Sequence, residues 1–251
     1  MDFKKECSSL QDYRNRIYEN YATFFLPQSS LAAFAPTDRW IRAFGHYFRG
    51  WLPERKDAAI VDLACGDGHF LYFLGRCGYT NVMGVDISPE QVQLARRVNP
   101  HVFEMNMLDF LRSPPQKFDC IAGLDIIEHL HKPEILEFMD LCHHALSAGG
   151  RLILRTPNAD SPWGSAKRYG DFTHEVAFNP GSLGCLLALC GFNNLEAREQ
   201  CPVPLGYSAS SSIRYCLWQA IRAVLKLSNI VETGSSGSGI FTRVFAISGD
   251  K

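Results

Sequence analysis

A short glycine-rich segment carries two carboxylates at a spacing that could hold a small charged molecule. It reads Asp62-Leu-Ala-Cys-Gly66-Asp-Gly68 and follows the apolar run Ala59–Leu63. Glycines at alternate positions let the backbone turn tightly and approach a ligand, because there is no Cβ in the way. The acids Asp62 and Asp67 flank this turn. The same residues would also suit a strand-to-helix turn with a capping aspartate and no ligand.

Two classes of ligand could bind at this turn, and the charges of its side chains distinguish between them. A dinucleotide-binding turn needs a third glycine three residues after Gly68, where this chain has Leu71, and it holds a pyrophosphate. Two carboxylates would repel a pyrophosphate, whereas they favour an ammonium and a sulfonium. A further acid, Asp86, ends the next predicted strand and can accept hydrogen bonds from both hydroxyls of a ribose. The pattern therefore predicts a site for S-adenosylmethionine.

Two histidines could remove a proton from the molecule that receives the methyl group. Methyl transfer from a sulfonium is an in-line displacement, so the protein aligns the reactants and a base takes the proton. His129 follows the fourth predicted strand, at the edge where ligands bind in such sheets. His174 lies further along, where Asp171 or Glu175 could orient it. Both histidines could instead cap a helix or fix a loop, and a His–Asp pair could form part of a metal site, although we expect no metal.

These residues need a scaffold of alternating strands and helices, and the sequence indicates one. Between residues 59 and 156, short apolar runs alternate with helical patterns, which predicts an open, doubly wound α/β sheet. The helix after the second strand should have Ser88 as its N-cap, with Gln91 closing a capping box. A later helix, 133–146, should be ended by the glycine pair 149–150.

Further helices are predicted at both ends of the chain. Aromatic residues at helical spacing indicate helices around Tyr13–Tyr21 and Trp40–Trp51. A long helix, Ser212–Asn229, carries apolar residues and three basic side chains. It could lie on a membrane surface, pack on its own domain or form a dimer contact. A last strand, Ile240–Ile247, follows a stretch rich in glycine and serine.

The overall composition excludes several classes of protein. The 251 residues carry 25 basic and 26 acidic side chains, a formal net charge of −1, which argues against a nucleic-acid groove. No apolar run is long enough to predict a membrane span, and the N-terminus is too polar for a signal peptide. Nine scattered cysteines without a Cys-x-x-Cys pair indicate reduced thiols. We therefore expect a cytoplasmic protein without a nucleic-acid partner.

Four segments together resemble the successive motifs of class I S-adenosylmethionine-dependent methyltransferases: DLACGDGHF, GVDISPEQVQLAR, FDCIAGLDIIEHL and GGRLILRTPN. The resemblance implies a Rossmann-like sheet of seven strands, the last of them antiparallel and paired with 194–198. It also implies that the glycine turn holds the methionine part, that Asp86 holds the ribose, and that Asn106 or Asp109 contacts the adenine. The implied donor-binding residues are Asp62, Ala64, Gly66, Gly68, Asp86, Ile87, Asn106, Met107 and Leu124.

The same resemblance divides a single domain into four parts. Residues 1–55 would form an N-terminal helical cover, and 59–198 the donor-binding core. Residues 199–239 would form a helical insertion before the final strand, 240–248.

A narrower resemblance concerns the methyl acceptor. The stretches RTPNADSPWG and GDFTHEVAFNPGSLGCLLALCGF are similar to methyltransferases of bacterial polysaccharide and O-antigen biosynthesis. This implies a hydroxyl of a sugar or of a lipid-linked glycan as acceptor, with Trp163, Tyr169 and Asp171 as candidate binding residues. The segment DIIEHL also resembles the ubiquinone-biosynthesis O-methyltransferases, which implies a phenol or quinone precursor instead. A module that binds the donor without turnover is the remaining alternative.

Overall fold

A mixed sheet of seven strands forms the centre of the protein. The computed structural model describes residues 14, 16–25, 38–203 and 207–251. The strands are β1 (Ile60–Leu63), β2 (Val82–Asp86), β3 (Val102–Glu104), β4 (Phe118–Leu124), β5 (Leu146–Pro157), β6 (Asn193–Glu199) and β7 (Val244–Asp250). They lie in the order β3-β2-β1-β4-β5-β7-β6. Strands β1 to β5 pair in parallel, and β7 runs antiparallel to both of its neighbours.

Helices pack on both faces of this sheet. They are α1 (Tyr21–Phe25), α2 (Asp38–Tyr47), α3 (His69–Arg76), α4 (Pro89–Ala95), α5 (Met107–Arg112), α6 (Lys132–Ala145), α7 (Ser165–Arg168), α8 (Pro180–Leu189) and α9 (Ala209–Thr233). Successive strand residues point to opposite faces. Ile60 therefore joins Phe44 and Phe73 in one buried cluster. Its neighbour Val61 joins Phe138 in the other.

The predicted fold class, a doubly wound sheet with an antiparallel last strand, is confirmed, but β5 and β7 begin at other residues than predicted. β7 begins at Val244, four residues later than predicted, because the backbone N–H of Phe241 donates to the Glu199 side chain (3.0 Å) instead of to a strand. β5 begins at Leu146, so the glycine pair 149–150 lies inside the strand instead of ending a helix. The pairing of β5 with β4 shifts register there.

The bounds of α9 and the capping of α4 also differ from the predictions. α9 is longer than predicted because Ser208 caps it, accepting a hydrogen bond from the backbone N–H of Ser211, and Gly234 ends it in the left-handed conformation. Ser88 is the N-cap of α4, but its side chain makes no capping bond. The predicted capping box is wrong, because the Asp86 carboxylate binds the backbone N–H of Ser88 (2.8 Å) instead.

The N-terminal helices and the cysteines follow the predictions in part. Tyr13 lies outside the described residues, α1 begins at Tyr21, and α2 covers most of the second predicted helix. The cysteines in the described part of the chain are all free of disulfides. None of the described helices combines the length and the apolar character needed to cross a membrane.

Candidate active site

The carboxyl ends of β1, β2 and β4 open into a cavity of about 560 Å³. A smaller cavity of about 300 Å³ adjoins it, and both share lining residues: Ala64, Gly66, Gln91, Leu124 and Asp125. Ligands bind at this edge of open α/β sheets, where the strand order reverses. Here β1 lies between β2 and β4, so the reversal falls at the cavities. The two cavities together form the candidate active site.

The turn between β1 and α3 needs its two glycines for different reasons. Gly66 and Gly68 have φ angles of +55° and +89°, which favour glycine. A Cβ on Gly68 would lie 2.9 Å from Val98 Cγ2 and 3.0 Å from Ala95 Cα. A Cβ on Gly66 would have no atom within 4 Å. Gly68 therefore permits tight packing on α4, whereas Gly66 leaves its backbone open to a ligand.

Asp86 connects the end of β2 to this turn. Its Oδ2 accepts a hydrogen bond from the backbone N–H of Gly66 (2.8 Å), and its Oδ1 accepts one from Ser88 (2.8 Å). Burial raises the pKa of Asp86, and these two hydrogen bonds work against that rise. Each carboxylate oxygen can accept a second bond, and Asp86 lines the larger cavity. The geometry therefore suits the predicted contact with ribose hydroxyls.

Several buried side-chain oxygens at the cavities have no hydrogen-bond partner within the described part of the chain: Asp62 Oδ1, Ser88 Oγ and Gln91 Oε1. Buried polar atoms are normally paired, so these atoms fit a hydrogen-bonding ligand. Asp62 is 2% exposed, and burial together with the nearby Asp86 raises its pKa well above the usual range. A cation beside Asp62 would stabilise its carboxylate, as the ammonium of S-adenosylmethionine would do.

Arg155 brings a positive charge to the smaller cavity. It lies on β5 and pairs with Asp125, its Nε 3.0 Å from Oδ1. Asp62 and Asp67 line the same cavity. This wall thus offers partners for both the ammonium and the carboxylate of an amino acid. Arg155 was not among the predicted site residues, although a charged residue in a buried parallel strand is a usable signal.

The other end of the larger cavity contains the residues predicted to hold the nucleoside. Ile87, Asn106 and Met107 line it. Asn106 is the N-cap of α5, and its Oδ1 accepts a hydrogen bond from the backbone N–H of Leu108 (2.8 Å). The amide NH2 of Asn106 is then free to donate to a ligand, and Oδ1 can accept one further hydrogen bond. The alternative residue, Asp109, also lines the cavity, but its exposed carboxylate pairs with Arg112.

His129 lines the larger cavity, and its hydrogen bonds determine its tautomer. Thr173 Oγ1 lies 2.6 Å from Asp171 Oδ1 and 2.8 Å from His129 Nδ1. Burial disfavours the Asp171 carboxylate, but hydrogen bonds from Thr173 outweigh this and lower its pKa. A carboxylate only accepts, so Thr173 donates to Asp171 and accepts from His129 Nδ1–H. The lone pair of His129 is therefore on Nε2.

His174 packs against His129, with the ring centroids 4.7 Å apart. Its Nδ1 lies 3.0 Å from the carbonyl oxygen of Lys167 and 3.2 Å from that of Arg168. A carbonyl only accepts, so Nδ1 carries the hydrogen and Nε2 the lone pair. His174 is not among the described residues that line the two cavities. The structure thus brings the two predicted histidines together, but His129 alone of the pair faces the cavity.

Glu128 adds a third group that could hold a metal ion together with these histidines. The ligand atoms of Glu128, His129 and His174 lie within 4.8 Å of one another. Glu128 Oε2 accepts a hydrogen bond from the Thr156 hydroxyl (2.9 Å), and Oε1 has no partner among the residues described. Burial, with the nearby Asp125, raises the pKa of Glu128 well above its usual range. That no metal takes part stays a prediction.

The residues predicted to bind the acceptor lie apart from the cavities. Trp163 packs against Trp218 of α9, with the ring centroids 6.4 Å apart. Tyr169 is 80% exposed. Neither of them is among the described lining residues. Asp171 binds Thr173 and accepts a hydrogen bond from Tyr21 (2.8 Å), so it positions His129 instead of facing a ligand.

Side chains from the N-terminal segment contribute to the larger cavity and were not predicted. Arg14, Tyr18 and Tyr21 line it. Arg14 donates to Glu134 Oε1 (2.8 Å) and to the carbonyl oxygen of His129 (3.0 Å). The partners of Arg14 and Tyr21 lie 115 to 150 residues away along the chain, so no local pattern indicates these contacts.

Comparison with known proteins assigns the chain to a family. The model of a family described as a methyltransferase domain matches residues 34–197. The chain belongs to this methyltransferase family. The methyltransferase is 33% identical over 110 residues to a ubiquinone biosynthesis O-methyltransferase of Xylella fastidiosa (strain 9a5c), and the match covers 40% of this chain and 42% of that protein. It is 28% identical over 156 residues to a tRNA U34 carboxymethyltransferase of Helicobacter pylori (strain Shi470), covering 56% and 58%.

A solved structure supports the fold of the methyltransferase. A SAM-dependent methyltransferase from Archaeoglobus fulgidus has a TM-score of 0.62 at 20% identity, over 86% of this chain and 95% of that one. The predicted class I fold, enzyme class and cofactor are thus confirmed. The match spans less than two thirds of either curated relative, and those two relatives are named for different reactions. The acceptor is therefore a separate question.

Proposed function

We propose that this methyltransferase is an O-methyltransferase in which His129 removes the proton from an acceptor hydroxyl. The observation that carries the proposal is the tautomer of His129: its Nε2 bears a lone pair, and the side chain lines the larger cavity. A general base must lie within hydrogen-bonding reach of the proton that it takes. His174 does not line the cavities, so its role is to pack against His129.

The donor binds across both cavities. S-adenosylmethionine supplies a methyl group on a positively charged sulfur. An acceptor oxygen can attack the methyl carbon, and the sulfur then leaves as a neutral thioether. Asp86 holds the ribose, and the open backbone of Gly66 lets the methionine part cross the turn. The unpartnered oxygens of Asp62 and Gln91 bind the polar groups of the donor.

The acceptor is a small molecule with a hydroxyl on an apolar, flat ring, such as a phenol. The larger cavity supports this, since apolar and aromatic side chains line much of it: Tyr18, Tyr21, Met105, Leu108, Leu124, Ile126 and Leu130. A phenol ring packs on such side chains and presents its hydroxyl to His129. The ubiquinone biosynthesis relative, an O-methyltransferase by name, agrees with this choice.

A sugar hydroxyl is the competing acceptor. It rests on exposed aromatic side chains, which suit the C–H faces of a sugar: Trp163, Tyr169 and Phe172. These side chains do not line either described cavity, so a sugar bound to them would lie outside the cavity that His129 lines. This placement favours the phenol.

The test combines an acceptor panel with two histidine variants. The wild type is incubated with S-adenosylmethionine and either catechols or sugar nucleotides, and products are examined for a mass gain of one methyl group. We expect methylated catechols, and a loss in kcat of about 10²- to 10⁴-fold for His129→Gln with donor affinity unchanged. The control His101→Gln changes an exposed histidine and should retain activity.

Three results would contradict this proposal. Methylation of sugars but not of catechols would show that the acceptor is a sugar. Full activity of His129→Gln would show that His129 is not the base. Donor binding without turnover of any acceptor would indicate a binding module.

A further inference from the structure

The long helix α9 exposes one apolar face along its whole length. The apolar residues on this face are spaced alternately by four and three: Ile213, Leu217, Ala220, Val224, Leu227 and Val231. All six are exposed, with Leu217 and Leu227 at 60% and 61%. This 3.5-residue repeat defines a seam about 27 Å long, at 1.5 Å per residue. Such a seam is typical of a helix that packs against another helix.

The opposite face of α9 is the one that holds it to its own domain. Arg222 Nε donates to the carbonyl oxygen of Gly239 (2.9 Å), and Trp218 Nε1 donates to Glu199 Oε2 (3.3 Å). Asn229 Nδ2 donates to the carbonyl oxygen of Ser235 (2.9 Å). The domain therefore satisfies this polar face and leaves the seam without a partner in the described part of the chain.

The seam is symmetric about residue 222. Ile213 and Val231 lie nine residues from it on either side, Leu217 and Leu227 five, and Ala220 and Val224 two. Two such helices that cross antiparallel at residue 222 therefore place each pair in a common layer of the interface. The smaller side chains fall at the centre, where two helices approach most closely. A two-fold axis needs a surface that complements itself in this way.

The charges argue against a lipid surface as the partner. A helix that lies on a membrane places basic residues beside its apolar face. Along α9, all of which the structure describes, the seam and its flanking positions include two charged residues, Arg214 and Glu232, and their charges are opposite. Arg222 is turned inward and lies 3.5 Å from Glu199. The apolar face of α9 therefore has little net positive charge with which to bind an anionic membrane.

We propose that the seam of α9 packs antiparallel against α9 of a second copy of this chain, forming a homodimer. The seam then becomes a buried, isologous interface, and the active sites of the two copies stay on their own sheets. The proposal does not depend on the acceptor of the methyltransferase.

The test measures the mass of the full chain by light scattering on a sizing column at micromolar concentration. We expect a dimer for the wild type and a monomer for Leu217→Glu, because the carboxylate would be buried against Leu227 of the second copy. Leu189→Glu is the matched control, since it adds a charge at a leucine that is 74% exposed on α8, and it should stay dimeric.

A charge-swap variant tests the direction of the helices. L217E/L227K places opposite charges in the same layer of an antiparallel pair, so we expect the dimer to return. A parallel pair would oppose like charges and stay monomeric, which would overturn the antiparallel arrangement. A monomeric wild type, or a Leu217→Glu dimer, would overturn the interface. A monomeric wild type that sediments with vesicles of phosphatidylglycerol, and loses this with Leu217→Glu, would assign the seam to a lipid surface.

Discussion

Thr173 determines which ring nitrogen of His129 can act as a base. It lies between Asp171 and His129, so removing its hydroxyl would take away the side-chain oxygen that accepts from His129 Nδ1–H. The tautomer with its lone pair on Nδ1 would then compete. We expect Thr173→Val to lower kcat about tenfold while donor affinity stays constant. Nitrogen NMR of the imidazole should show a mixture of the two tautomers in Thr173→Val. Thr173→Ser, which keeps a hydroxyl, should restore the single tautomer with its hydrogen on Nδ1. An unchanged tautomer in Thr173→Val would contradict this role.

The burial of His129 sets the pH range of the reaction. Burial, with a smaller contribution from His174, lowers the pKa of His129 to about 4. The neutral form, which is the base, therefore predominates above that pH and is lost as the pH falls through it. We expect kcat/KM to stay level between about pH 5 and 8 and to fall below about pH 4, whereas an ordinary histidine would titrate near 6.5. An inflection near 6.5 in the pH profile would contradict a buried base.

The histidine base also predicts that a divalent metal is not required. Glu128, His129 and His174 could bind one, but the base uses the lone pair of His129 that a metal would occupy. We expect kcat to change by less than about twofold after treatment with a chelator and removal of bound metals. Loss of activity that returns with a divalent ion would assign these three residues to a metal site.

At the scale of elements, the fit between α3 and α4 depends on Gly68. A Cβ there would approach Ala95 Cα to 3.0 Å at a φ of +89°. We expect Gly68→Ala to lower the free energy of unfolding by about 1–3 kcal/mol. Gly75→Ala is the control, because Gly75 lies in α3 with no atom within 4 Å of its Cβ position. Gly75→Ala should raise the free energy of unfolding by about 0.5–1 kcal/mol. Urea unfolding measures both, and equal effects would contradict the packing argument.

The elements that sequence alone predicts are those with local signals. β1, the glycine turn and Asp86 follow from an apolar run, two glycines and an acid close together in the chain. The capping box at Ser88 was wrong because a carboxylate from the preceding strand took its backbone N–H. The link from Thr173 to His129 spans 44 residues, and only the folded chain brings the two together.

At the scale of the whole molecule, donor binding should stabilise the fold. The ligand supplies partners for buried oxygens such as Asp62 Oδ1, which have none among the described residues. S-adenosylhomocysteine at about 100 times its Kd adds about 2.7 kcal/mol, which raises the Tm of a chain of this size by roughly 5–10 °C. We expect Asp86→Ala to lose this shift and to bind at least about tenfold more weakly in calorimetry. The control Asp57→Ala, which changes an exposed acid, should keep the Tm shift and the ligand affinity of the wild type. An equal shift in Asp86→Ala would contradict the ribose contact.

The position of β7 inside the sheet affects how a nascent chain can fold. β7 is the last strand along the chain, yet it lies between β5 and β6. While residues 158 to 243 are being translated, β1 to β5 can assemble, but one edge of β5 has no partner. At about 5–20 residues per second this interval lasts roughly 4–17 s. An unpaired strand edge can recruit strands from other chains, so newly made chains are most prone to aggregate in this interval. The arrival of Val244–Asp250 closes that edge.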